Sequence, residues 1–376
     1  MYKLLKNTTI KIEDGDRGKN YPSSNDFSNF GYALFLNNKN IINNKISLEN
    51  AQYISEEKYY SLGKGAINLN DIVLTTRGTL GNCLLFDTTN NLPARINSGM
   101  IIIRPGNDFI PKFLYYLFQS NFFQNQILEM KSGSAQPQLP IKDIQNMNIP
   151  VFDKSQQQHI VNIIGSIDDL IESNNNLVSK LLCILNSKLE YLITKSIGFI
   201  PLKIIIRERK ERIGLNDVKL LSVVNTGELV LQDEYFDKNT ASADMKKYKL
   251  IRKFDYAYNP ARINIGSIGM LKENYLGAIS PIYVVFEIDE NYKYYLDFYK
   301  SSEYMKKYIE KKSSGSVRQN LPFDEFASIE IPNINTELLK EFNSLCDFYY
   351  KKINDLKTKN VKLQAIKDQY LKKFFG

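Results

Sequence analysis

The side chains that could do chemistry in this sequence are hydrogen-bonding groups spread over polar loops rather than a convergent set of acids, bases and nucleophiles. In the first half they are Asp16, Arg17, Lys19, Asn20, Arg77, Thr79, Ser132, Ser134, Gln136 and Gln138. In the second half they are Asn259, Arg262, Asn264, Ser267, Ser314, Ser316, Arg318, Gln319 and Asn320. An arginine fork matches O6 and N7 of guanine, an asparagine or glutamine amide matches N6 and N7 of adenine, and Ser, Gly and Lys approach phosphates closely. Arg77-x3-Gly81 and Arg262-x3-Gly266 fall at corresponding places in the two halves. Taken singly, each of these residues reads as part of an ordinary solvated loop; their recurrence shifts the odds for the group.

Enzymatic alternatives lack their residues. His159 is the only histidine, which excludes a Ser-His-Asp, Cys-His or multi-histidine arrangement within one chain. Neither a Walker loop nor a Gly-x-Gly-x-x-Gly turn opening a helix is present. Tyr258-Asn259-Pro260-Ala261 resembles the Asn-Pro-Pro-aromatic loop of amino-methyltransferases but lacks its second proline and its aromatic residue, and reads as a strand-to-turn feature. Gly15-Asp16-Arg17-Gly18-Lys19 precedes no helix and reads as a turn that presents side chains. Cys83, Cys183 and Cys346 are far apart, in neither disulfide nor zinc spacing, which suggests a reducing cytosol. With no apolar run of membrane-spanning length, a cytoplasmic location is expected. The net charge of +8 suits a polyanionic partner, although the abundance of Lys, Asn, Ile and Tyr also looks like the output of an AT-rich genome.

The elements that must position these loops occur twice. Ser132-Gly133-Ser134-x4-Leu139-Pro140-x8-Ile149-Pro150 recurs as Ser314-Gly315-Ser316-x4-Leu321-Pro322-x8-Ile331-Pro332 at a constant offset of 182, with 7 identities in 19 positions. Average residue usage would give about one identity by chance. The offset also aligns Phe113-Leu114 with Tyr295-Leu296, Ile127 with Ile309, and Leu181, Ile184 and Leu189 with Leu363, Ile366 and Leu371. A repeat this long is a duplicated domain, not a solenoid unit.

Strand-like runs at 71–76, 100–103, 219–224 and 282–287 and helices at 111–130 and 294–312 are expected in the two globules. Each globule leads into a long helix. The first, with Ser155 as its cap, carries Ile160, Ile164, Ile167, Ile171, Val178, Leu181, Leu185 and Leu192 at coiled-coil spacing, interrupted by Asn174 and Lys188. The second, about 336–374, carries Leu338, Phe342, Leu345, Tyr349, Ile353, Leu356, Leu363 and Tyr370, with Asn360 in the seam. Eight lysines between Lys351 and Lys373, against Asp168, Asp169, Glu172 and Glu190 on the first helix, favour pairing of the two with each other. Because the chain leaves the first globule along one helix and returns from the second along the other, the pair is expected to be antiparallel. Some forty residues would make a rod of roughly 60 Å that holds the globules apart. The expected class is α+β: two pseudo-symmetric α/β domains separated by an antiparallel coiled coil, with segments 1–153, 154–199, 200–332 and 333–376.

On these residues the chain resembles the specificity (S) subunits of type I restriction-modification enzymes. Asp14-Gly15-Asp16-Arg17-Gly18-Lys19-Asn20-Tyr21-Pro22 looks like the opening of one class of target-recognition domain, and Tyr256 to Gly269 with Ser280 to Phe286 looks like another. Gln156-Gln157-Gln158-His159-Ile160-Val161 and Ile167-Asp168-Asp169-Leu170-Ile171-Glu172 are similar to the family's first helical spacer, whereas the second helix departs from the pattern at Cys346-Asp347-Phe348-Tyr349-Tyr350. The resemblance implies a non-catalytic subunit whose two globules each read half of an asymmetric, bipartite site in double-stranded DNA. It implies helices that set the gap and dock two methyltransferase (M) subunits, with motor-nuclease (R) subunits joining them. No cofactor is then expected in this chain; S-adenosylmethionine, ATP and Mg belong to the partners. Alternatives are the recognition subunit of a type IIB or modification-only complex, and a DNA-tethering scaffold without sequence choice.

Overall fold

The computed structural model describes residues 2–87, 92–130, 137–214, 218–232, 245–313 and 320–376. The chain divides into two compact units, Met1–Asn175 with Lys357–Gly376, and Asn176–Leu356, so the division falls inside both long helices instead of at their ends.

The first unit is built on a four-stranded antiparallel sheet in the order Lys11–Asp14, Met100–Arg104, Ile72–Thr75, Cys83–Leu85. The apolar run at Met100 to Ile103 is continuous because both faces of this sheet are covered. Successive strand side chains point to opposite faces, so Ile101 and Ile103 pack with Phe113, Leu114 and Leu117, while Met100 and Ile102 pack with Leu34, Leu36, Ala94 and Ile96. The first set of partners comes from a helical layer. The second comes from a three-stranded sheet in the order Tyr53–Ile54, Ala33–Leu36, Ala94–Ile96, whose last two strands run parallel. A short antiparallel pair, Tyr2–Leu4 with Asn148–Pro150, brings the start of the chain against the first repeated Ile-Pro.

The second unit repeats the plan. Its antiparallel sheet runs Ile206–Glu208, Val284–Ile288, Tyr256–Tyr258, Ile268–Met270, and the pair Phe199–Pro201 with Glu330–Pro332 matches the first unit's in register. Tyr256, Tyr258 and Phe286 face the helical layer, and Ala257 and Val285 face a second sheet in which Lys219–Val223 and Gly277–Ile279 are the parallel pair. Here that second sheet has four strands in place of three. An ion triad also repeats, with a change of places. Arg104 holds Asp71 at 3.2 Å and Glu13 at 2.6 Å, and Arg209 holds Asp255 at 2.8 Å and Glu287 at 2.8 Å. Asp71 and Asp255 each precede the third sheet strand; the arginine and glutamate have exchanged neighbouring strands.

Two expected helices are broken. Residues 111–130 form Pro111–Gln119 and Asn121–Met130, with extended backbone at Ser120; its hydroxyl donates to Leu117 O and accepts weakly from Phe123 N, so it serves both helix ends. The helix expected at 294–312 is Tyr295–Tyr299 followed by Glu303–Ser313. The long helices are Lys154–Ile193 and Thr336–Phe375. The cap of the first is Asp153, not Ser155: Gln156 N donates to Asp153 Oδ1 (2.8 Å) and Asp153 N to Gln156 Oε1 (3.1 Å), a reciprocal capping box. Asn335 Oδ1 caps the second by accepting from Glu337 N.

The seam residues are buried or half-buried throughout. Within the first unit, Ile160 and Ile164 share a core with Leu371 and Phe375, and Asp168 pairs with Lys367 at 2.8 Å. Farther along, Asn174 Nδ2 donates to Asn360 Oδ1 at 2.7 Å. Partner numbers fall as first-helix numbers rise, so the segments are antiparallel, and Asn360 fixes their register by accepting from Asn174 and donating to Ile171 O and Asn175 Oδ1. Within the second unit, Leu181 packs with Ile353 and Leu356, and Leu185, Leu189 and Leu192 join Leu339, Phe342 and Cys346. Among the described residues, no helix is long and apolar enough to cross a membrane.

Candidate nucleic-acid interface

The repeated Leu-Pro positions the site. In the first unit Leu139 is buried and its N–H donates to Thr76 O at 2.9 Å; Arg77 forms an isolated bridge with Gln138, and Gly78 N donates to Pro137 O at 3.3 Å. In the second unit Leu321 is buried and donates to Pro260 O at 3.0 Å, while Tyr258 Oη donates to Leu321 O at 3.1 Å. Each clamp holds the Leu-Pro against the loop that links the third and fourth sheet strands. As a result Gln138 comes beside the Arg77 loop and Asn320 beside the Arg262 loop, with both amide residues exposed. The glycines that end these loops, Gly81 and Gly266, have φ of 83° and 93°, a left-handed backbone that favours glycine.

Around Arg77 the first unit gathers further candidates. The turn at Asn97 to Gly99 is held by Thr76, whose N–H and hydroxyl both donate to Gly99 O, and it accepts Arg17 Nη2 at Ser98 O (3.3 Å). Arg17 is half-exposed and also pairs with Asp14 at 3.1 Å. Lys19 and Thr79 are exposed, as is Asn20, whose amide donates to Ser61 O. Asp16 works as a tie. Its carboxylate accepts from Gly18 N (2.6 Å), Gly63 N (2.7 Å) and Lys64 N (3.3 Å), and these donors, Gly18 foremost, hold its pKa below the usual carboxylate value.

In the second unit the candidates part company. Arg262 is exposed at the loop tip and Asn264 is half-buried. Asn259 and Ser267 turn inward: both are buried, Asn259 Oδ1 accepts from Ala261 N, and Ser267 Oγ donates to Val223 O. They shape the loop from beneath and present nothing at its surface. Ser132, Ser134, Gln136, Ser314, Ser316, Arg318 and Gln319 lie outside the described residues. The first unit thus sets Arg77 beside Gln138, with Lys19 exposed on a nearby turn, and the second brings exposed Asn320 to the loop that carries Arg262. As expected of a phosphate contact, Lys19→Ala should weaken binding to all DNA sequences alike and lower the slope of log K against log salt by about one, which titration at several salt concentrations measures.

Comparison with known proteins agrees with the resemblance. Residues 10–182 match the family model of the type I restriction modification DNA specificity domain. The chain is 28% identical over 170 residues to the type I restriction enzyme HindI specificity subunit of Haemophilus influenzae, covering 43% of this chain and 36% of that protein. It is 26% identical over 121 residues to the EcoR124I/EcoR124II specificity subunit of Escherichia coli, covering 32% and 30%. The matched stretches therefore span about a third of these relatives' own length. The fold is shared more widely: the crystal structure of the type I restriction-modification S subunit from M. genitalium superposes with a TM-score of 0.56 at 15% identity, covering 100% of this chain and 96% of that one.

Proposed function

We propose that the chain is the DNA-recognition subunit of a type I restriction-modification complex, non-catalytic itself, in which each unit reads one half of an asymmetric bipartite site. The observation that carries this reading is the repeated clamp, which sets Arg77 beside Gln138 in one unit and brings Asn320 to the loop of Arg262 in the other. One pair can address guanine and adenine edges in a major groove, and two pairs on divergent loops suit two different half-sites. The partners are two methyltransferase subunits, which bring S-adenosylmethionine, and motor-nuclease subunits, which bring ATP and Mg. The purified chain should transfer no methyl group, whereas the chain mixed with its cognate methyltransferase subunit should methylate adenines at a single bipartite sequence. Methyl transfer by the chain alone would contradict this reading.

The paired helices would set the gap between half-sites by their residue count. Four residues inserted near Leu185, with four at the facing level near Tyr349, add about 6 Å of helix. The gap should grow by one or two base pairs, since DNA rises about 34 Å per ten pairs. Methylation mapping should show unchanged half-sites around a longer gap.

A further inference from the structure

The peptide that follows Arg77 is gripped at both edges. Its N–H, on Gly78, donates to Pro137 O; its carbonyl, on Arg77, accepts from Nδ2 of Asn38. Gly78 has φ of 70° and, lacking a Cβ, could swing this peptide plane readily. Asn38 belongs to the turn after Ala33–Leu36, the strand that runs parallel to Ala94–Ile96. The neighbours on either side close that turn: Asn37 Oδ1 accepts from Lys39 N and Asn40 Oδ1 from Asn37 N, each at 3.0 Å. The side chain of Asn38 is left to reach the arginine loop. Its Oδ1 is buried without a hydrogen-bond partner among the described residues, an unfavourable placement that the contact through Nδ2 must offset.

The same turn does the same work in the second unit by other means. After Lys219–Val223, the parallel strand there, Val223 O accepts from Ser267 Oγ, and a Cβ on Gly266 would lie 2.4 Å from Asn225 O. In both units, then, the turn after the parallel strand butts against the loop that carries the arginine, half-buried Arg77 in the first and exposed Arg262 in the second.

We infer that Asn38 is a positioning residue for Arg77: it fixes the peptide plane behind the arginine and thereby determines which base pair of the first half-site is discriminated. This rests on the proposed reading of DNA. A bidentate fork tolerates little displacement of its backbone, so loss of the Asn38 grip should cost base choice more than overall affinity.

The test uses the full chain with its cognate methyltransferase subunit and a library of randomised duplexes. Asn38→Ala removes the donor, and Asn38→Asp keeps the shape while turning an acceptor toward the Arg77 carbonyl. Each should lose about fivefold or more of the discrimination at the base pair that Arg77→Ala relaxes, leaving the second half-site and the salt slope unchanged. In the double variant with Arg77→Ala the loss should equal that of Arg77→Ala alone, because Asn38 acts through the arginine. Additive losses, or weakening of all sequences alike, would mark Asn38 as a structural prop and overturn the inference. So would unchanged preference in two variants that melt like the wild type. If the wild-type complex shows no sequence preference, the proposed function falls together with the inference; preference that survives both substitutions defeats the inference alone.

Discussion

Asp297→Asn is expected to destabilise the second unit by about 3 to 5 kcal/mol at neutral pH, the cost typical of breaking a buried ion cluster by removing one partner. The carboxylate is 5% exposed and accepts from Lys300 Nζ at 2.7 Å, Lys272 Nζ at 2.7 Å and Tyr350 Oη at 2.9 Å. Burial alone would push its pKa up, but the two ammonium groups reverse that and hold it well below the usual carboxylate range. An amide in its place would leave the two cations facing a neutral group, and Lys300 is itself 10% exposed. Because the folded-state pKa is depressed, the stabilisation is complete above the unfolded value of about 4 and is lost as pH falls below it. The difference between the variant and the wild type should therefore narrow as pH falls below about 4 and close only below the folded-state value, so it should be smaller but still present near pH 3. Urea midpoints at pH 7 and near pH 3 measure both statements. The exposed pair Lys307–Glu303 is a suitable control, since its removal should cost only about 0.3 to 0.5 kcal/mol.

Removal of each arginine should act on one half-site only. Arg77→Ala should cost about 1 to 3 kcal/mol and relax choice at one base pair in the first half-site, and Arg262→Ala should do the same in the second. The truncations leave the clamps intact, because Leu139 N–Thr76 O and Leu321 N–Pro260 O are backbone bonds to other residues. Selection from randomised duplexes, with the two halves scored separately, measures the effect. Equal losses on cognate and random DNA would show that the arginines contact phosphates and read no base.

These sites differ in how far they could be read beforehand. The spacing Ser-Gly-Ser-x4-Leu-Pro was legible, and the buried leucines at 139 and 321 explain why it recurs: each must dock on a loop some sixty residues earlier. The asparagines at 174 and 360 were legible as interruptions of two seams, and their mutual hydrogen bond follows from that placement. Ser120 and residues 300–302 were not legible as breaks, because apolar residues resume beyond each of them and serine also occurs inside helices. Asn259 and Ser267 have the composition of surface readers, yet their polar atoms are taken up by Ala261 N and Val223 O. Composition cannot show which way a loop side chain turns. Asn38 was missed for the opposite reason: its counterpart in the second unit is Ser267 Oγ on Val223 O with Gly266 close against Asn225 O, so no repeated asparagine marked it. The Asp297 cluster joins Lys272, Lys300 and Tyr350 from separate stretches of chain, a convergence that only the fold brings about.

Under the proposed function, two separate reading surfaces, one at Arg77 and one at Arg262, recognise two separate half-sites. The most direct measurement is selection of randomised duplexes by the full chain with its cognate methyltransferase subunit, followed by the same selection with Arg77→Ala and with Arg262→Ala. Two blocks of preferred sequence at a fixed separation are expected, with one block relaxed by each substitution. A single uninterrupted block, or both blocks relaxed by either substitution, would contradict the proposed function.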